Sequence, residues 1–177
     1  LTSAEWMKRV ADAVSRVSNT SVEKVVLARD LIATADSDID PRPILKKLAA
    51  EYPTTWTFAV DGLVGATPEL LVRLSRGMVT SRVLAGTISK TGQDEKDLAL
   101  AASLARSSKD LEEHEYAVRS VANALDPFCS STNVPESPYV LHLANVMHLA
   151  TDVTGALIES KQHIDAFSLL KALHPSA

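Results

Sequence analysis

The sequence predicts an α+β fold in which antiparallel sheets are flanked by helices, and three observations carry that prediction. Tight-turn dipeptides, Asp61-Gly62 and Arg76-Gly77, each separate two short apolar runs, the pattern of antiparallel hairpins. Segments with helical apolar spacing stand in groups on either side of those hairpins. The 177 residues, 46% hydrophobic and 23% charged, are enough for one good globular core.

Thr2 and Glu5 have capping-box spacing, and Trp6, Val10, Val14 and Val17 recur on one face, so residues 3–18 read as an amphipathic helix. A polar turn follows at 18–21. Residues 23–33, Glu23-Lys24-Val25-Val26-Leu27-Ala28-Arg29-Asp30-Leu31-Ile32-Ala33, are β-branched and apolar and read as a largely buried strand. Asp40-Pro41 opens a helix that Ile44, Leu45 and Leu48 continue to about Glu51. Residues 56–60 and 63–66 are hairpin strands, the second broken by Thr67-Pro68. Residues 70–74 turn at Arg76-Gly77 into a strand over 78–84. Ala85-Gly86-Thr87 then gives way to a polar loop through Gly92.

Leu98, Ala101, Ala102 and Ala105 form a small-residue helical face. A second helix begins at Ser107 or Ser108, either able to cap it, and runs to about Leu125. Residues 126–138, with three prolines, read as an exposed loop. One or two strands lie around 145–154, and Ile164, Phe167, Leu170 and Leu173 make the face of a last helix.

The formal charge of −4 argues against a nucleic-acid binder, which carries a basic patch. No apolar run approaches the roughly 20 residues that span a bilayer, and no signal-peptide pattern is evident. The expectation is a cytoplasmic protein that binds neither nucleic acid nor membrane. A single cysteine, Cys129, excludes an internal disulfide and a cysteine-based metal cluster, and reads as a structural or loop thiol. The ending Leu173-His174-Pro175 places a proline where a helix normally leads into another element, so residues 1–177 are expected to be one domain cut short. Apolar surface left open by such a cut would invite self-association.

Chemistry concentrates at a few positions. Asp110 and Glu113 stand three apart on the acidic helix, so both carboxylates project from one face, and His114 lies one turn beyond Asp110. Two hard oxygen ligands so spaced suit a magnesium ion that keeps waters and takes further ligands from a substrate; a solvated charged face is the alternative. Lys24 interrupts an apolar run, where an ammonium taken out of water can become a general base, or can snorkel outward at a strand edge. Glu69, between two strands, can be aimed into a cleft as a general acid or can be a surface turn residue. Gly86-Thr87 can bring backbone amides and a hydroxyl close to an anion. His148, between Met147 and Leu149, reads as a core histidine or a site residue. The sequence has no glycine-rich nucleotide loop, no His-Glu-x-x-His and no nucleophile elbow, and its five histidines are dispersed.

Five blocks resemble, in order and spacing, the chorismate-utilising enzymes, the group of isochorismate, salicylate, anthranilate and aminodeoxychorismate synthases. They are residues 23–29, Thr67-Pro68-Glu69-Leu70-Leu71, Leu84-Ala85-Gly86-Thr87, Ser108-Lys109-Asp110-Leu111-Glu112-Glu113-His114 and Asn145-Val146-Met147-His148-Leu149, joined by Leu173-His174-Pro175. The resemblance implies the family's fold. Lys24 matches the lysine of the water-using members, Ala85 stands where aminodeoxychorismate enzymes carry a nucleophilic lysine, and Leu173-His174-Pro175 resembles the isochorismate synthase pattern.

On that resemblance, Lys24 is the general base for water attack at C2 of chorismate and Glu69 the general acid for the departing C4 hydroxyl. Glu113, supported by Asp110, is the magnesium ligand, and Gly86, Thr87 and His148 lie near the substrate. The product, isochorismate, feeds menaquinone or siderophore biosynthesis. Two departures stand out: Ile88-Ser89-Lys90-Thr91-Gly92 replaces an arginine-containing loop, and Asp110 is shorter than the glutamate often found there. In the family roughly another hundred residues follow, with further metal-binding glutamates and a substrate-binding arginine and tyrosine. The chain is therefore expected to be the first part of a catalytic domain, inactive by itself. A salicylate synthase, or a non-catalytic module keeping the fold, is the alternative.

Overall fold

The computed structural model describes residues 1–22, 24–159 and 164–175, and the chain divides into two compact units, Leu1–Ile39 and Asp40–Ala177. In the first unit, α1 (Ser3–Asn19) opens on the expected capping box. The Glu5 amide donates to Thr2 Oγ1 at 3.3 Å, and the Glu5 carboxylate accepts from the Thr2 amide at 2.7 Å. Val10, Ala13, Val14 and Val17 of this helix, with Val25 and Leu27, line an apolar cleft of about 260 Å³.

The buried strand expected over 23–33 is not formed. Glu23 lies outside the described residues, and residues 24–35 have no regular secondary structure. Leu31 and Ile32 are 90% and 84% exposed. A β-branched run only permits a strand; a neighbouring strand must supply the ladder, and no described strand pairs with this one.

The second unit begins with α2 (Pro41–Glu51), whose N-cap Asp40 accepts from the Arg42 amide at 3.0 Å. It packs on the hairpin of β1 (Trp56–Val60) and β2 (Leu63–Thr67), a two-stranded sheet of its own. The main sheet has five strands: β3 (Leu70–Ser75), β4 (Met78–Ser89), β5 (Cys129–Asn133), β6 (Tyr139–His142) and β7 (Val146–Leu157). β7 is the spine. β4 pairs antiparallel along one side of it, from Met78 opposite Ala156 to Ser89 opposite Val146. The other side is shared end to end, β6 on residues 147–150 and β5 on residues 154–157.

β4 therefore runs five residues past the expected end at 84, and the expected exposed loop at 126–138 contains a short 3-10 turn, Asp126–Phe128, and then β5. The Ser- and Thr-rich β5 carries little apolar signal, and the edge of β7 makes it a strand. Cys129 is buried there, its Sγ against Gly155, which fits the structural reading of that thiol.

The helices α3 (Asp94–Leu104), α4 (Ser108–Leu125) and α5 (Ala166–Leu173) complete the unit. One core joins Val79, Val83 and Val153 of the sheet to Ala117, Val121 and Leu125 of α4 and to Leu169 and Leu173 of α5. A second joins Met147 and Leu149 to Ala101 and Leu104 of α3. Residues 147, 149, 151 and 153 of β7 thus share the helix-covered face, and alternation puts His148, Ala150 and Asp152 on the opposite one. No helix among the described residues is long and apolar enough to cross a membrane.

Candidate active site

The carboxylate-bearing helix α4 starts where the serine pair predicts. Ser107 is the N-cap: its Oγ accepts from the Asp110 amide at 3.3 Å and donates to the Asp110 carboxylate. The buried stripe His114, Ala117, Val121 and Leu125 presses α4 onto the sheet. Asp110 and Glu113, both half-buried, flank that stripe and stand one helical turn apart.

Facing them, β4 carries a bulge. Ala85 pairs with Leu149 and Thr87 with His148, so Gly86 is the extra residue, with φ of +76°. A Cβ on Gly86 would meet the Asp110 Cβ at 3.1 Å and the Leu149 Cδ1 at 3.2 Å. The glycine serves both the left-handed backbone and the close approach of α4. Directly after it, Thr87 Oγ1 lies 2.9 Å from His148 Nδ1, a cross-strand pair on the face away from α4. The bulge thus joins the two faces of the sheet.

Glu69 arrives from the β2–β3 connection. The Thr67 hydroxyl donates to its carboxylate, and its own amide donates to Thr67 Oγ1 at 3.3 Å, so the Thr67-Pro68-Glu69 turn holds the side chain in one direction. Glu69 is exposed at the mouth of a cavity of about 180 Å³ shared with Leu71, Ser81 and Val83, and with Ala117 of α4, one turn along from Glu113. The structure therefore brings Glu69, Gly86, Asp110 and Glu113 to the α4 side of the sheet, with Thr87 and His148 just across the bulge. Lys24 belongs to the first unit, half-buried in its irregular segment.

Two hard carboxylate oxygens on one turn fit magnesium, which binds through one or two carboxylates and fills its shell with water and substrate. Among the described residues no group of three or more His, Cys, Asp or Glu could hold a metal ion.

Three supporting groups have no role assigned from sequence. His114, 2% exposed, has Nε2 2.8 Å from Thr151 Oγ1 and Nδ1 3.3 Å from the Ala85 carbonyl. Asp97 accepts from the Thr91 amide at 2.7 Å, the Thr91 hydroxyl at 2.8 Å and the Gly92 amide at 3.2 Å. The Thr91 amide, first among these donors, holds the Asp97 carboxyl below the usual carboxylate range. This clamp, with the Lys90 amide donating to the Asn145 carbonyl at 2.9 Å, fixes the loop that stands in place of the arginine-containing one. On the open face, Arg82 grips Asp152 with two bonds of 2.7 and 2.9 Å, a pair that lowers the Asp152 carboxyl. Proximity to the Ser-Lys-Asp cap was the one available signal for His114; Asp97 and Asp152 had none.

A family model described as chorismate binding enzyme matches residues 1–177. The chain belongs to the chorismate-binding enzymes. Isochorismate synthase MenF of Bacillus subtilis (strain 168) is 35% identical over 176 residues, covering 97% of this chain and 37% of that protein. The salicylate biosynthesis isochorismate synthase of Pseudomonas aeruginosa PAO1 is also 35% identical over 176 residues, covering 97% of this chain and 36% of its own length. The crystal structure of DhbC from Bacillus anthracis matches with a TM-score of 0.70 at 35% identity, over 80% of this chain and 39% of that one. The chain thus spans little more than a third of the length of these two relatives. Family membership and the α+β fold are as the resemblance implied.

Proposed function

We propose that the protein carrying this chain is an isochorismate synthase, and that the chain supplies part of its site for chorismate. The observation that supports the reading is the placement of α4, which carries Glu113, sets Asp110 against the Gly86 bulge and shares with Glu69 a cavity at Ala117. Two relatives named as isochorismate synthases, each matched over nearly the whole chain, support it.

In this reading Lys24 takes a proton from water as it attacks C2, and Glu69 returns one to the hydroxyl leaving C4. Net composition is unchanged, as an isomerisation requires. Thr67 orients the Glu69 carboxylate for that transfer. Thr87 and His148 offer a hydroxyl and an imidazole to the substrate's oxygen atoms, and Gly86 lets the backbone approach it without a side chain. Asp110 and Glu113 would hold magnesium, which when bound supplies positive charge for the substrate carboxylate. The small molecule chorismate is the partner, and a cytoplasmic location accords with this chemistry.

Incubating the protein with chorismate and magnesium and separating the products tests the reading. Isochorismate should accumulate; fluorescent salicylate would identify a salicylate synthase, and no conversion a non-catalytic module. Lys24→Ala should lower kcat by at least about a hundredfold, the scale of a lost general base. Near-normal turnover would refute the assignment of Lys24.

A further inference from the structure

His114 has no part in the reaction just described, yet it occupies the contact between the site's helix and the site's bulge. A carbonyl oxygen can only accept, so the 3.3 Å contact with Ala85 requires the hydrogen on Nδ1. A neutral ring with its hydrogen on Nδ1 accepts the Thr151 hydroxyl at Nε2, 2.8 Å away. Ala85 is the last paired residue before the Gly86 bulge, while Glu113 is the neighbour of His114 and Asp110 lies one turn before it. The ring therefore ties the turn that carries both carboxylates to the strand position from which Gly86 and Thr87 project.

We propose that His114 is a positioning residue: its Nδ1–H bond to the Ala85 carbonyl sets the separation of the Asp110–Glu113 turn from the bulge, and thereby the affinity of those carboxylates for a divalent cation. The proposal rests on the reading of Asp110 and Glu113 as cation ligands. A histidine that merely fills the core would contribute stability through both of its bonds and leave cation affinity alone. A positioning histidine separates the two bonds, because only the Ala85 contact reaches the bulge.

The two bonds can be removed one at a time in the protein that carries this chain. In His114→Asn the side-chain amide overlays Nδ1 and still donates to Ala85; in His114→Gln it overlays Nε2, keeps Thr151 and loses Ala85. Manganese(II) binding without chorismate, read by electron paramagnetic resonance, reports affinity free of turnover, and thermal unfolding reports stability. The parent should show an Nδ1–H ring in long-range nitrogen–proton correlation spectra. H114N should bind manganese within about twofold of the parent and H114Q about tenfold more weakly, the scale for groups that orient metal ligands.

Equal affinities for the two variants, or an Nε2–H ring, would overturn the proposal. Glu113→Gln measured alongside separates the two levels. If E113Q binds manganese as the parent does, the carboxylate reading fails and His114 with it. If E113Q loses binding while H114N and H114Q match, only the His114 role fails. Should H114N not fold, Thr151→Val replaces it: unchanged affinity supports the proposal, and a tenfold loss overturns it.

Discussion

Gly86 shows how one residue can answer to backbone and packing at once. Its φ of +76° costs a side-chain-bearing residue about 1–2 kcal/mol, and a methyl there also presses on Asp110 and Leu149 at 3.1 and 3.2 Å. Gly86→Ala should lower unfolding stability by at least about 1–2 kcal/mol in urea titrations and weaken chorismate conversion, because Asp110 must move. From sequence, Gly86-Thr87 could be marked as a place where backbone nears a ligand; that the glycine is a bulge against α4 depends on the pairing of β4 with β7 and was not visible. Asp97 was not legible at all, since its donors come from a loop whose path the sequence leaves open. Its carboxyl is held below the ordinary value, so its contribution is present above about pH 3.9, where the unfolded group is ionised, and is lost as pH falls through the lower folded value. Stability of Asp97→Asn, followed by urea titration from pH 7 to 2, should start lower than the parent's and fall less on acidification. A parallel pair of curves would remove that role.

At the scale of elements, helices were legible and strands only half so. Helix α1 announces itself by Thr2 and Glu5, α2 by Asp40-Pro41 and α4 by Ser107, because a cap and a 3.6-residue period are properties of the segment itself. A strand depends on its neighbour. The apolar run from Lys24 to Ala33 has the composition and no described partner, whereas the polar Cys129–Asn133 has the partner and little of the composition. The weight of α4 on the sheet can be measured. Leu125 is fully buried between the helix end and the main core, so Leu125→Ala should cost about 2–5 kcal/mol by chemical denaturation. A loss below about 1 kcal/mol would mean that α4 is not anchored there.

For the whole molecule, the candidate residues on the β2–β3 connection, β4, α4 and β7 were legible as a set because family resemblance implied roles for them, and the second unit sets Asp110 against the Gly86 bulge with Thr87 and His148 beside it. The proposed cation ligands are two carboxylates on one helical turn, and the chain covers 37% of the length of the Bacillus subtilis relative. On the proposed function, the 177-residue polypeptide by itself should give no detectable isochorismate from chorismate and magnesium; turnover by it would contradict this. The spine strand β7 carries a final consequence. β4 and β7 meet across a sequence separation of 70 residues at Arg82 and Asp152, and both α3 and α4 lie inside that span. Loop-closure entropy must be met before their ladder yields any return, which makes their union slow relative to helix formation. The helices can form early, but Gly86 cannot be a bulge, nor Thr87 face His148, until the far strand has been synthesised and docked. The order of folding makes the candidate site one of the last features to exist.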